Sequence, residues 1–270
     1  NVAIFATYKT NEQAIEDVCH YIENNLSDII QLPELFFIDD KKITNNAQQL
    51  AQISSLCKSL VGQISLQLRP FQYVCTSLVI DEKHQAVIIS EDGIFATQQQ
   101  LHLCNRYQWT TVGDTLNIID LPLEQGSINV SMLTADDANT PEMVNAAVSS
   151  NIHLLLVPFD IQAPCEVEYS LLSHAAEHHT CILAASREKS FVNNSASDNS
   201  NNASNNIYHK NKVKHQKSTG FIAGLATNLL LSTQWKSRKF TGYINHPVVK
   251  HQHGKITKSV IHFSAIDKNC

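Results

Sequence analysis

Asp28-Ile29-Ile30-Gln31-Leu32-Pro33-Glu34-Leu35-Phe36-Phe37 delivers a carboxylate directly after a short apolar run and a proline. Residues 28–32 read as a strand, and Glu34 falls just beyond its end. Further strand-like apolar runs lie outward from it, at 2–6, 72–80, 85–90, 116–120, 127–133, 152–158 and 180–186. Between them, residues 11–26 place Ala14, Ile15, Val18, Cys19, Ile22 and Leu26 at the helical period. Residues 47–60 do the same with Leu50, Ile53, Leu56, Cys57 and Leu60, and a third helix is expected at about 166–178. Apolar strands alternating with helices imply an α/β fold with buried sheets. Residues 71–90 read as a hairpin turning at Asp81-Glu82-Lys83-His84, so the sheet is expected to be mixed.

The chain has 270 residues, 43% hydrophobic and 17% charged, enough for one large core or two modest ones. No apolar run approaches the roughly 18 residues of a membrane span. Seven cysteines, at 19, 57, 75, 104, 165, 181 and 270, form no CxxC pair and sit mostly in apolar runs. They read as reduced thiols behaving as small hydrophobes, which fits a cytoplasmic protein. The chain starts at Asn1 on the apolar run Val2-Ala3-Ile4-Phe5, which suggests a domain excised from a longer protein with other domains beside it.

Charge is unevenly spread. Residues 1–188 carry 8 Lys and Arg against 23 Asp and Glu, whereas 189–270 carry 12 against 2. The basic segment is read as packing on its own acidic body. Its lysines interleave with His and Asn and lack the aromatic or Arg pattern of a nucleic-acid or membrane surface. Residues 190–217, with Asn and Ser dominating 193–206, cannot bury a core and are expected to form a disordered insertion in a single domain spanning 1–270. The apolar run 220–231 resumes the fold.

Three segments together resemble the nitrilase superfamily of carbon–nitrogen hydrolases. The first is Leu32-Pro33-Glu34, similar to the strand that delivers the family's general base. The second is Gln98-Gln99-Gln100-Leu101-His102-Leu103 followed by Val112-Gly113-Asp114, where the family writes Tyr-Arg-Lys-x-His-Leu and then Pro-Gly-Asp. The family's lysine stabilises the tetrahedral intermediate, and its position here is Gln100. The third runs from Ile128 to Pro141-Glu142 and resembles the nucleophile elbow: an apolar strand, Cys-Tyr-Asp, three residues and Pro-Glu. That register puts Ala135 at the cysteine and Asp137 at a retained, structural aspartate. Leu154-Leu155-Leu156-Val157-Pro158, His174-Ala175-Ala176-Glu177-His178, Ala184-Ala185-Ser186 and Ser218-Thr219-Gly220 follow in the family's order. The family's additional active-site glutamate has no counterpart, since no Glu occurs from 92 to 123.

The resemblance implies a four-layer α-β-β-α sandwich with two central mixed sheets, and a homodimer or higher homo-oligomer. The site residues are then Glu34, Gln100 at the lysine position and Ala135 at the cysteine position, with no cofactor and no metal. A methyl group cannot attack a carbonyl or nitrile. Thr134 adjoins it, but strand neighbours point to opposite faces. The expected function is a catalytically inactive hydrolase-like domain acting as a scaffold, oligomerisation or ligand-sensing module. One alternative is a residual amidase-type hydrolase using Glu34. A minor one is a zinc-dependent hydrolase, because His174, Glu177 and His178 spell HxxEH on the expected third helix.

Overall fold

The computed structural model describes residues 2–5, 11–38, 43–103, 106–124, 126–160, 162, 170–171, 173–178, 180–186, 221–226, 229–231 and 256–259. The strands are β1 (Val2–Phe5), β2 (Ile29–Gln31), β3 (Tyr73–Ile80), β4 (Lys83–Ser90), β5 (Gly93–Gln99), β6 (Ile118–Leu123), β7 (Gly126–Met132), β8 (Leu154–Pro158), β9 (Cys181–Ala185), β10 (Phe221–Ala226), β11 (Leu229–Leu231) and β12 (Ile256–Ser259). The helices are α1 (Asn11–Asn24), α2 (Ala47–Ser65), α3 (Ala135–Ala138), α4 (Pro141–Val148) and α5 (Ser173–His178). They build two six-stranded sheets, ordered β12-β1-β2-β3-β4-β5 and β11-β10-β9-β8-β7-β6. Both are mixed: β1, β2 and β3 run parallel, as do β7, β8 and β9, and antiparallel neighbours flank each trio.

Period-two alternation along the strands sorts the apolar side chains into three cores. In β8, Leu154 and Leu156 face the other sheet, while Leu155 and Val157 face the helices; Leu183 and Ile182 divide in the same way on β9. The middle core joins Tyr73, Cys75, Ala86 and Ile88 of one sheet to Val130, Met132, Leu156 and Leu183 of the other. On the outer face of the first sheet, Val18 and Ile22 of α1 and Cys57, Leu60 and Ile64 of α2 cover Val74, Leu78 and Val87. On the second, Ala135 and Ala138 of α3, Val144 and Ala147 of α4 and Ala175 of α5 cover Leu155, Val157 and Ile182. The result is the four-layer α-β-β-α sandwich. Apolar surface on both faces of each sheet needs a cover on both sides, and this stacking supplies one.

Several boundaries differ from the sequence reading. The hairpin after β3 turns on two residues, Asp81 and Glu82, with φ of 49° and 63°. Two successive positive φ values fit the twist of a two-residue hairpin, so Lys83 and His84 belong to β4. β5 escapes the pattern because its side chains are mostly half-exposed and its sequence is rich in Gln. α4 also lacked an assigned signal, although Pro141 sits in its first turn. The run 220–231 is two antiparallel strands rather than one. Leu26 lies beyond α1 and is 71% exposed, so it does not continue the buried face. The expected third helix is described only from Ser173, and the Asn/Ser-rich insertion at 190–217 lies outside the described residues.

Candidate functional site

The C-terminal ends of the parallel strands in both sheets converge. Glu34 follows β2, Ala135 follows β7 and Asp160 follows β8. Backbone hydrogen bonds fix this meeting point: Glu34 N–H donates to Phe159 O at 3.1 Å, and Phe159 N–H donates to Ala185 O at 2.8 Å. Beyond Pro33 the chain turns instead of extending the strand, and Leu35 adopts a φ of 46°. That conformation is uncommon for a branched residue. It is held by the Leu35 N–H donating to Ser77 Oγ at 3.0 Å.

Three donors converge on the Glu34 carboxyl. The Ala135 N–H reaches Oε1 at 3.2 Å, the Tyr107 hydroxyl reaches Oε2 at 2.9 Å, and the Arg106 guanidinium also bonds Oε2. Arg106 Nη1 lies 3.1 Å from Asp160 Oδ2, and Nη2 lies 3.5 Å from Asp136 Oδ2. The guanidinium also packs over the Tyr107 ring, 4.5 Å from its centroid. One cation therefore serves three carboxyls in a nearly closed space. Burial pushes the Glu34 carboxyl up to about 8, against the opposing pull of Arg106. Burial works against the charge on Arg106 as well, but Glu34, Tyr107, Asp136 and Asp160 together hold the guanidinium above its ordinary range.

His84 forms the second half of the site. Its Nδ1 is 2.7 Å from Gln100 Oε1, and its Nε2 is 3.0 Å from Ser77 Oγ and 3.5 Å from Glu34 Oε1. Proton bookkeeping assigns the tautomer. Gln100 Nε2 donates to His102 O at 2.7 Å, so Gln100 Oε1 must accept from His84 Nδ1–H. Ser77 Oγ already accepts from Leu35, so its hydroxyl hydrogen is directed at His84 Nε2. The ring is satisfied as the neutral form, and burial lowers its pKa to about 4.

The structure brings Glu34 and Ala135 into direct contact and connects Gln100 to Glu34 through His84. Gln100 is buried, but the side chain that lies against Glu34, Asp136 and Asp160 is Arg106. The Asp137 carboxylate joins α3 to the segment after β5: it accepts from Leu101 N–H at 3.0 Å and His102 N–H at 2.7 Å, and from the Thr134 hydroxyl at 2.9 Å. That last bond occupies the hydroxyl next to Ala135. Sequence reading missed Arg106, Tyr107, His84, Ser77 and Asp160. An Arg-Tyr pair soon after His102-Leu103 is a weak local signal, and His84 was hidden by its assignment to a turn. Among the described cysteines, burial raises Cys57 to about 11 and Cys75 and Cys181 to about 12, and pushes Cys19 up as well. Cys104, Cys165 and Cys270 lie outside the described residues.

The two-sheet α-β-β-α sandwich recurs in solved structures of hydrolases. Solved structures with this fold include a cysteine-to-alanine mutant of an amidase from Nesterenkonia AN1, of the nitrilase superfamily. It is 15% identical over 95% of this chain and 88% of its own, with a TM-score of 0.60. Another is a carbon–nitrogen hydrolase from Helicobacter pylori G27, 13% identical over 94% of this chain and 87% of its own, also with a TM-score of 0.60. A glutamate-to-glutamine mutant of the Nesterenkonia amidase, carrying an acetamide moiety on its active-site cysteine, matches at 16% identity over 95% and 88%, with a TM-score of 0.59. No protein-family model matches the sequence, and no curated protein matches it by sequence. The chain thus has the fold of the nitrilase-superfamily carbon–nitrogen hydrolases. Among the described residues, no helix is long and apolar enough to cross a membrane.

Raised and lowered groups leave a pH signature. Glu34 has its folded pKa above the ordinary value, so its stabilising contribution is complete at low pH and is lost as pH rises through about 8. His84 acts in the opposite sense, but only between its ordinary value of 6.5 and about 4. From pH 6.5 to 8 His84 no longer opposes Glu34, and the Glu34 contribution to stability is expected to fall by roughly 1–2 kcal/mol. Urea titrations at both pH values should show this fall in the natural chain and its absence in Glu34→Gln. An unchanged fall in the variant would contradict the assignment.

Proposed function

We propose that this chain is a catalytically silent member of the carbon–nitrogen hydrolase family, serving as a scaffold, oligomerisation or ligand-sensing module. The carrying observation is the contact between the Ala135 N–H and Glu34 Oε1 at 3.2 Å. It supports the register that puts a methyl group at the nucleophile position. Two further features support the reading. A glutamate that keeps its proton up to about pH 8 is a poor base at neutral pH, and Arg106 occupies its face. Gln100, at the family's lysine position, supplies no charge for an oxyanion. A cytoplasmic location and self-association through a helical face belong to the same reading. Leu56 of α2 and Leu66 just beyond its end leave 43% and 84% of their surface exposed, apolar area that such a face would cover.

The test is a panel of amides and nitriles incubated with the natural chain and with Ala135→Cys. Neither is expected to exceed the buffer rate, because the thiol alone restores one of two missing members of a unit. Turnover by the natural chain that Glu34→Gln abolishes would overturn the proposal and favour a residual amidase.

A further inference from the structure

The outer layer of the second sheet holds a second cluster, unconnected with the Glu34 site. α5 places His174, Glu177 and His178 at positions i, i+3 and i+4, so that Glu177 and His178 each neighbour His174 across one turn. One donor atom from each lies within 4.8 Å of the other two. The imidazole rings stand nearly parallel, 19° apart in plane and 6.0 Å between centroids. His174 Nδ1 and His178 Nε2 are both buried, and neither has a hydrogen-bond partner among the described residues. The Glu177 carboxylate stands beside them, with Oε2 3.9 Å from His178 Nε2.

Buried ring nitrogens normally find a partner, and here two in neighbouring turns lack one. A hydrogen bond between them would need one ring to supply N–H, and the pair is not within bonding distance. A cation satisfies both lone pairs at once and brings the carboxylate with it. We propose that His174, Glu177 and His178 bind a divalent transition-metal ion of the zinc type, with two imidazoles and a carboxylate as protein ligands and the remaining position open. Imidazole donors select zinc and its late first-row neighbours over calcium or magnesium. The three donor atoms lie within 4.8 Å of one another, close enough for one ion to engage all three. The site differs from a zinc-protease helix in one respect: Glu177 is grouped with the nitrogens as a ligand, so no separate base remains to activate water. Its expected effect is to tie the last turn of α5 together, next to Ala175 in the outer core.

The experiment uses the full chain stripped with a chelator and then titrated with zinc chloride alone. One equivalent is expected to bind and to raise the melting temperature. His178→Gln, at a partly exposed position, should weaken binding by more than the roughly tenfold that loss of an outer-shell partner costs, and His174→Gln should do so as well. Cobalt substitution should give a visible spectrum of nitrogen and oxygen ligation without a thiolate charge-transfer band. This separates the cluster from the chain's seven cysteines. Absence of a stoichiometric equivalent, undiminished binding in His178→Gln, or a thiolate band would each overturn the proposal.

Discussion

Replacing Arg106 with alanine is expected to destabilise the chain by about 2–4 kcal/mol at neutral pH. Removing one partner from a buried charge pair typically costs about 3–5 kcal/mol, because the other charge stays buried and unpaired. Here the guanidinium faces Asp160, which is almost fully buried, and Asp136, and it also donates to the Glu34 carboxyl, which keeps its proton up to about pH 8. The lower end of the range applies because 18% of the Arg106 side chain reaches solvent, which lets water follow the deletion. The penalty should shrink as pH falls below about 8, since Glu34 then carries its proton and has no charge for Arg106 to offset. Denaturant titrations of Arg106→Ala at pH 5 and pH 8 measure this directly. An equal penalty at the two values would mean that shape, not charge, is what Arg106 supplies. Arg106→Lys should recover only part of the loss, because an ammonium cannot span two carboxylates as a planar guanidinium does.

Asp137→Ala is expected to cost a similar amount, about 2–4 kcal/mol, for a different reason. Its carboxylate satisfies the Leu101 and His102 amides and the Thr134 hydroxyl, at distances between 2.7 and 3.0 Å. Hydrogen bonds to a charged acceptor contribute about 1.5–3 kcal/mol each. They do not all count in full, since His102 lies at the surface and water can replace part of its bond. The residue also connects α3, beneath the second sheet, to the segment leaving β5 of the first. Loss of that connection should loosen residues 100–103, and hydrogen exchange at Leu101 and His102 should quicken well before global unfolding. Asp137→Asn keeps one acceptor oxygen and should lose less. If Asn proved as costly as Ala, the carboxylate's charge rather than its geometry would be the stabilising element.

Much of the fold was legible because its signals are local. Helix periodicity in 11–26 and 47–60 and the apolar runs at 72–80, 152–158 and 180–186 each reflect the period of a single element, and all became buried faces or strands. β5 and α4 were missed because half-exposed, Gln-rich or short segments carry little periodic signal. In the site, the sequence named Glu34, Gln100 and Ala135 through order and spacing, and named Asp137 as structural. It could not name Arg106 or His84. Neither stands out locally, and each acquires its role from residues remote in the chain.

The sequence by itself therefore determined the alternation of buried strands and helices, the strand that carries Glu34 and the methyl group at position 135. Tertiary structure alone decided the chemistry around them. Arg106 meets Glu34 across 72 residues of chain, and Ala135 N–H meets it across 101. The low polarity of that enclosure then raises one carboxyl and keeps one imidazole neutral. Periodicity is a property of neighbours along the chain, whereas a proton's affinity for Glu34 depends on which distant groups the fold has packed around it.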